Sequence, residues 1–150
     1  MTDVKNRLAS TFSAIIMGIG LTATAAACTT PIASADVGAC LNIDDMGTTE
    51  ITEIPTLDCG TEHDAQVVGK FNLSQDGDFP GTEGMRTEAE DGCLASFSDF
   101  VGTPFEESTL NMTYISPSQE SWDSGDREIL CVAYVDDGTL ASESWEGAGL

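Results

Sequence analysis

His63 is the single histidine of the chain, and it sits beside Asp64. A Ser-His-Asp triad would need it as the base. Serines are plentiful, but none lies in a Gly-x-Ser-x-Gly or comparable nucleophile setting, so the expected role is a structural, hydrogen-bonding histidine. Asp76-Gly77-Asp78 offers hard oxygen donors without the D-x-[DN]-x-[DN]-G ladder of a calcium loop, and neither a metal nor a cofactor is expected. Paired carboxylates could serve glycoside hydrolysis, but with 26 acidic residues to choose from their presence selects nothing. The most distinctive group is Trp122-x-x-Gly125-Asp126-Arg127. Trp122, Asp126 and Arg127, with His63, form the candidate binding set, because aromatic and cationic side chains are scarce here and both types concentrate in binding hot spots. The competing role is structural: Arg127 pins a loop through hydrogen bonds or a bidentate contact with a carboxylate.

Cysteine chemistry gives a firmer signal. Cys28, Cys40, Cys59, Cys93 and Cys131 contain no C-x-x-C pair, which argues against a redox motif or a zinc knuckle. Setting Cys28 aside leaves an even four, as expected of a disulfide framework in a small exported domain. Four cysteines allow three connectivities. Cys93 falls on the apolar stripe of a predicted helix, and Cys131 shares a strand face with Ile129, Ala133 and Val135. A helix packed over that strand joins Cys93 to Cys131 and leaves Cys40 to pair with Cys59, bridging the first two strands.

Export is written into the first residues. Lys5 and Arg7 precede an apolar run from Ala14 through Ala27 that ends at Cys28. This is the order of a secretory signal. Ala25-Ala26-Ala27-Cys28 fits a lipobox, so Cys28 is the expected lipidation site; Ala33-Ser34-Ala35 before Asp36 is the rival site of ordinary cleavage. The run is short for a membrane span, which needs about 20 apolar residues. Residues 1–28 are therefore assigned to an export signal with lipobox, 29–37 to a flexible tether around Pro31, and 38–150 to one domain with an acidic C-terminal tail. The expected location is the extracytoplasmic face of the cell membrane, lipid-anchored, or secreted if the second site is used. Five basic against 26 acidic residues give a net charge of −21. Such a surface repels nucleic acid and anionic headgroups, and beyond its lipid anchor the domain is expected to meet an envelope protein or a cell-wall component.

These residues need elements to hold them. Ala65, Val67, Gly69, Phe71 and Leu73 alternate with mostly polar neighbours as a half-buried strand does. Residues 74–81 are a loop of turn formers. Met85, Ala89, Cys93, Phe97 and Phe100 or Val101 step by three or four and predict a helix, started by Thr82 or by a box at Thr87 and Glu90, and stopped by Gly102 and Pro104. Leu110, Met112 and Tyr114 alternate as a second strand. Ile129 through Val135 is almost wholly apolar and predicts a central strand covered on both faces. Ile51 to Cys59 predicts a weaker strand interrupted by Pro55. Trp145 stands alone in the polar tail, either as a docked anchor or as an exposed binding residue. The fold class is α+β: a small, mainly antiparallel sheet with one helix on a face and two disulfides.

The spacing Gly38-x-Cys40-Leu41, Cys59-x-x-x-His63-Asp64-Ala65-x-Val67-Val68-Gly69, Cys93 and Trp122-x-x-Gly125-Asp126-Arg127-x-x-x-Cys131 resembles the septum formation domain family of actinobacteria. The likeness runs from about Gly38 to Gly147. Glu62 stands where Pro is usual in that family, Gln66 where Glu is common, and Ala39 where an acidic residue is common. The resemblance implies an envelope-associated domain linked to septum formation, with no enzymatic activity attached. The function expected is a non-catalytic envelope lipoprotein that binds another envelope component, against a cell-wall hydrolase or a cation-binding acidic protein as the alternatives.

Overall fold

The computed structural model describes residues 33–47, 51 and 53–150; the segment read as an export signal, Cys28 and residues 29–32 of the assigned tether lie outside them. Among the described residues, four strands form one antiparallel sheet: β1 (Cys40–Leu41), β2 (Ala65–Asn72), β3 (Asn111–Ile115) and β4 (Glu128–Tyr134), in the order β1-β2-β4-β3. The main helix, α1 (Gly81–Val101), lies on one face, and a short helix, α2 (Gln119–Asp123), links β3 to β4. The α+β reading holds; α2 and two single 3-10 turns add to it.

α1 forms because Met85, Ala89, Cys93, Phe97 and Val101 recur every fourth residue, and all five are fully buried. They pack on Val68, Leu73, Ile129, Cys131 and Ala133. Truncating Phe97 to Ala would cost about 3–5 kcal/mol. Gly102 ends the helix at φ 84°, a left-handed conformation in which its N–H donates to the Ser98 carbonyl. The start differs from expectation. The helix begins at Gly81 after Pro80, no side chain caps it, and Thr82 and Thr87 both fall inside it. The incoming chain is positioned instead by Phe79, packed edge-on against Trp122 at 5.8 Å, and by Gln75, which donates to the Gly84 carbonyl.

β4 is central, as its apolar run requires. Ile129, Cys131 and Ala133 face α1, and Leu130 and Val132 face a second cluster with Leu41, Ile54, Ala65 and Val67. β2 is less exposed than its alternation implies: Ala65 through Gly69 are buried on both faces, because the strand lies inside the sheet. The register shifts between Val67 and Gly69. At Gly69 a Cβ would sit 2.3 Å from Cβ of Ser96, so the missing side chain is what lets α1 seat so close to the sheet.

Both predicted bridges are present. Cys93–Cys131 ties α1 to β4, with Cα atoms 5.4 Å apart. Cys40–Cys59 ties β1 to the turn at Asp58–Thr61, 5.2 Å between Cα atoms. Cys59 is not on a strand: among the described residues of the Ile51–Cys59 segment, the expected strand is reduced to an isolated bridge between Leu57 and Cys40. Pro55 brings no N–H to a ladder. Asp58 then diverts the chain, accepting from the Gly60 N–H through its side chain and from the Thr61 N–H through its carbonyl. Residues 33–37, assigned to the tether by composition, lie against the domain: Ala35 is buried, its carbonyl accepts from Lys70 Nζ at 3.1 Å, and Asp36 pairs with the same ammonium at 3.5 Å.

Candidate functional site

The Trp122 motif assembles where α2 turns into β4. Ser118 and Ser121 exchange side chain to backbone hydrogen bonds and start α2. This points Trp122 inward, where it is 2% exposed. Its indole N–H donates to the Gly77 carbonyl at 2.8 Å. Arg127 stacks on the same ring, with Cζ 3.6 Å from the centroid. Its Nη1 donates to the carbonyls of Trp122 (2.9 Å) and Asp126 (2.6 Å), and its Nε to the Gln75 carbonyl at 3.3 Å. Asp126 is buried and accepts from the Glu128 N–H at 2.9 Å. The motif therefore clamps the 74–81 loop to the start of β4. The carboxylate partner considered for Arg127 is replaced by carbonyls and a π face.

His63 lies away from this group. It is fully buried, and Nδ1 is 2.8 Å from the Thr61 carbonyl, which fixes the proton on that nitrogen. Nε2 has no partner among the described residues, so no serine completes a triad. The backbone of His63 exchanges both hydrogen bonds with Ala141, and its ring lies 5.7 Å from the Trp145 ring. Trp145 is the docked anchor of the two readings: it is 4% exposed within the main core.

Gln66 was not among the expected site residues, yet it organises this end of the sheet. Fully buried, it donates through Nε2 to the Gly38 carbonyl and to Ser144 Oγ, each at 2.9 Å, and accepts from the Trp145 N–H at 2.7 Å. The signal was available as a departure from the family pattern at a strand position. Beyond it, Gly147 and Gly149 donate to the carbonyls of Phe100 and Val101 at the end of α1.

The remaining candidates stay apart. Asp76 and Asp78 are exposed loop residues. Among the described residues no group of His, Cys, Asp or Glu is arranged to hold a metal ion. A shallow depression of about 510 Å³ is formed by the tail itself, between Ala141, Ser144, Trp145 and Leu150. The Glu88 carboxyl titrates below the usual carboxylate range because it accepts the Ser74 N–H at 2.7 Å, and Asp137 does so through its bond to Thr139.

No curated protein and no solved structure matches the chain. A family model for septum formation matches residues 21–134. The matched stretch includes the four bridged cysteines, His63, Gln66 and the whole clamp at Trp122–Arg127, and ends before Trp145. With some three quarters of its length covered, the chain belongs to the septum formation family.

Proposed function

We propose that this protein is a non-catalytic, lipid-anchored component of the cell envelope whose domain binds another envelope polypeptide. The observation that carries the reading is the use made of the chemistry-bearing residues. His63 and Trp122 are buried, and Arg127 is committed to carbonyls and to the indole face, so each holds the fold together. Two disulfides within the domain support an oxidising compartment. Among the described residues no helix is long and apolar enough to cross a membrane.

The packing of residues 33–37 favours Cys28 over the rival cleavage site. Processing after Ala35 would remove a buried side chain and the carbonyl that holds Lys70. Mass spectrometry of the mature protein tests this, with a diacylglyceryl-modified Cys28 as the expected N-terminus and a free Asp36 as the refuting one. Photo-crosslinking in cells, from probes spread over the domain surface, tests binding. A defined crosslinked envelope protein is expected, and peptidoglycan turnover by the purified domain would overturn the non-catalytic reading.

A further inference from the structure

The two edges of the sheet are treated differently. β1 is two residues long, and its outer side is occupied by Leu57, whose N–H donates to the Cys40 carbonyl at 2.8 Å and which the Cys40–Cys59 bridge holds in place. β3 is the opposite edge. Its five residues pair with β4 in unbroken register, from Asn111 opposite Tyr134 to Ile115 opposite Leu130. Among the described residues its backbone makes no hydrogen bond beyond that ladder. Edge strands ordinarily carry a lysine, a proline or a bulge that blocks further pairing. Asn111-Met112-Thr113-Tyr114-Ile115 has none of these, and its Thr, Tyr and Ile suit an added strand.

Charge selects the occupant. Glu106 and Glu107 precede β3, and Asp136 and Asp137 follow the β4 residue paired with its start; all four are exposed. Glu120 and Asp123, both exposed, lie just past its other end in α2. The cations of the described residues are engaged elsewhere: Lys70 with Asp36, Arg86 with Glu83 and Glu90, Arg127 in its clamp. A second copy would set these carboxylates against their own kind, which disfavours self-pairing. We infer that the outer edge of β3 is a strand-addition site for an extended, lysine- or arginine-rich segment of another envelope polypeptide. This rests on the binding-module reading and names its surface. Main-chain hydrogen bonds supply the affinity, over about 17 Å of strand, and the flanking carboxylates supply the selectivity.

The test uses the mature, disulfide-bonded protein and three end-capped heptapeptides: alternating Lys-Val, alternating Glu-Val, and the Lys-Val sequence N-methylated at alternate residues. The Lys-Val peptide is expected to slow amide exchange within residues 111–115 by about tenfold or more at saturation, while the other two do not. The triple variant Glu106→Gln, Glu107→Gln, Asp136→Asn, which changes only exposed side chains, is expected to weaken Lys-Val binding about tenfold. Equal binding of the N-methylated peptide, protection elsewhere, or unchanged affinity in the triple variant overturns the site. Protection of 111–115 that rises with protein concentration alone identifies a second copy as the occupant and overturns it as well. In cells, crosslinks to a partner from other surfaces but not from Thr113 would remove the β3 site and leave the binding module standing. Crosslinks from nowhere would remove both.

Discussion

Exchanging Gln66 for glutamate changes one buried NH2 group into an oxygen and leaves the shape intact. In the native protein that NH2 donates to the Gly38 carbonyl and to Ser144 Oγ. An ionised carboxylate there faces the Gly38 carbonyl oxygen with no donor between them and is fully buried. A protonated carboxyl can donate to Gly38 again. The folded state therefore favours the protonated acid, and the folded pKa of the new group rises above its unfolded value of about 4.3. The sign follows. Below that unfolded value the variant keeps most of its stability, and as pH rises toward the folded pKa it loses about 1.4 kcal/mol per unit. The Trp145 N–H still donates to one carboxylate oxygen and the Ser144 hydroxyl can turn toward the other, so the loss levels off at or below the cost of an uncompensated buried charge, about 3–5 kcal/mol. At roughly 4 °C per kcal/mol for a domain of this size, the melting temperature at neutral pH should fall by up to about 15 °C relative to wild type, and by only a few degrees near pH 4.5. Thermal melts of wild type, Gln66→Glu and Gln66→Leu across that range measure it, since the leucine variant loses its bonds at every pH. A Gln66→Glu deficit that is flat with pH, or absent at neutral pH, would refute the assigned donor role.

Further outcomes follow from the same contacts. Trp122→Ala should cost about 3–5 kcal/mol, and Arg127→Ala about 1–3 kcal/mol through the carbonyls it abandons, with partner capture intact at low temperature; capture lost without a change in melting would make the clamp a binding site. Opening Cys40–Cys59 or Cys93–Cys131 should cost about 3 and about 4 kcal/mol on the chain-entropy estimate, and mild reductant should reach the first bridge sooner because Cys59 is half-exposed while Cys93 and Cys131 are buried; alkylation and mass mapping record the order. Glu88 holds the Ser74 N–H more strongly as a carboxylate, so its added contribution is present above the ordinary carboxylate range and fades as pH falls through its depressed folded pKa; an NMR titration should place its midpoint below that of a free glutamate, and Glu88→Gln should remove that part of the acid sensitivity.

Much of the architecture could be read from side-chain pattern because side chains impose it. The stripe from Met85 to Val101 and the apolar run at Ile129–Val135 each admit one packing, and the pairing of Cys93 with Cys131 follows once helix and strand face each other. Where the backbone decides, pattern fails. The tail docks through the His63–Ala141 bridge and through the Gly147 and Gly149 N–H groups, none of which marks the sequence. The Ile51–Cys59 segment looks like a strand by composition, yet it is fixed by a turn and a disulfide. At the clamp, the nearness of Trp122 and Arg127 was legible from spacing. Their partners, the Gln75 and Gly77 carbonyls, were not, because carbonyls in a distant loop leave no trace in residue type.

The docking of Trp145 also sets a clock. The main core is closed by a residue far along the chain, and the carbonyls that finish α1 wait for Gly147 and Gly149. A polypeptide that emerges in order from the ribosome presents α1, β3 and β4 before that indole arrives. Until then the seat of Trp145 beside His63 is empty and the core is open to water. The unfinished domain therefore keeps an open core until residues 141–149 have docked.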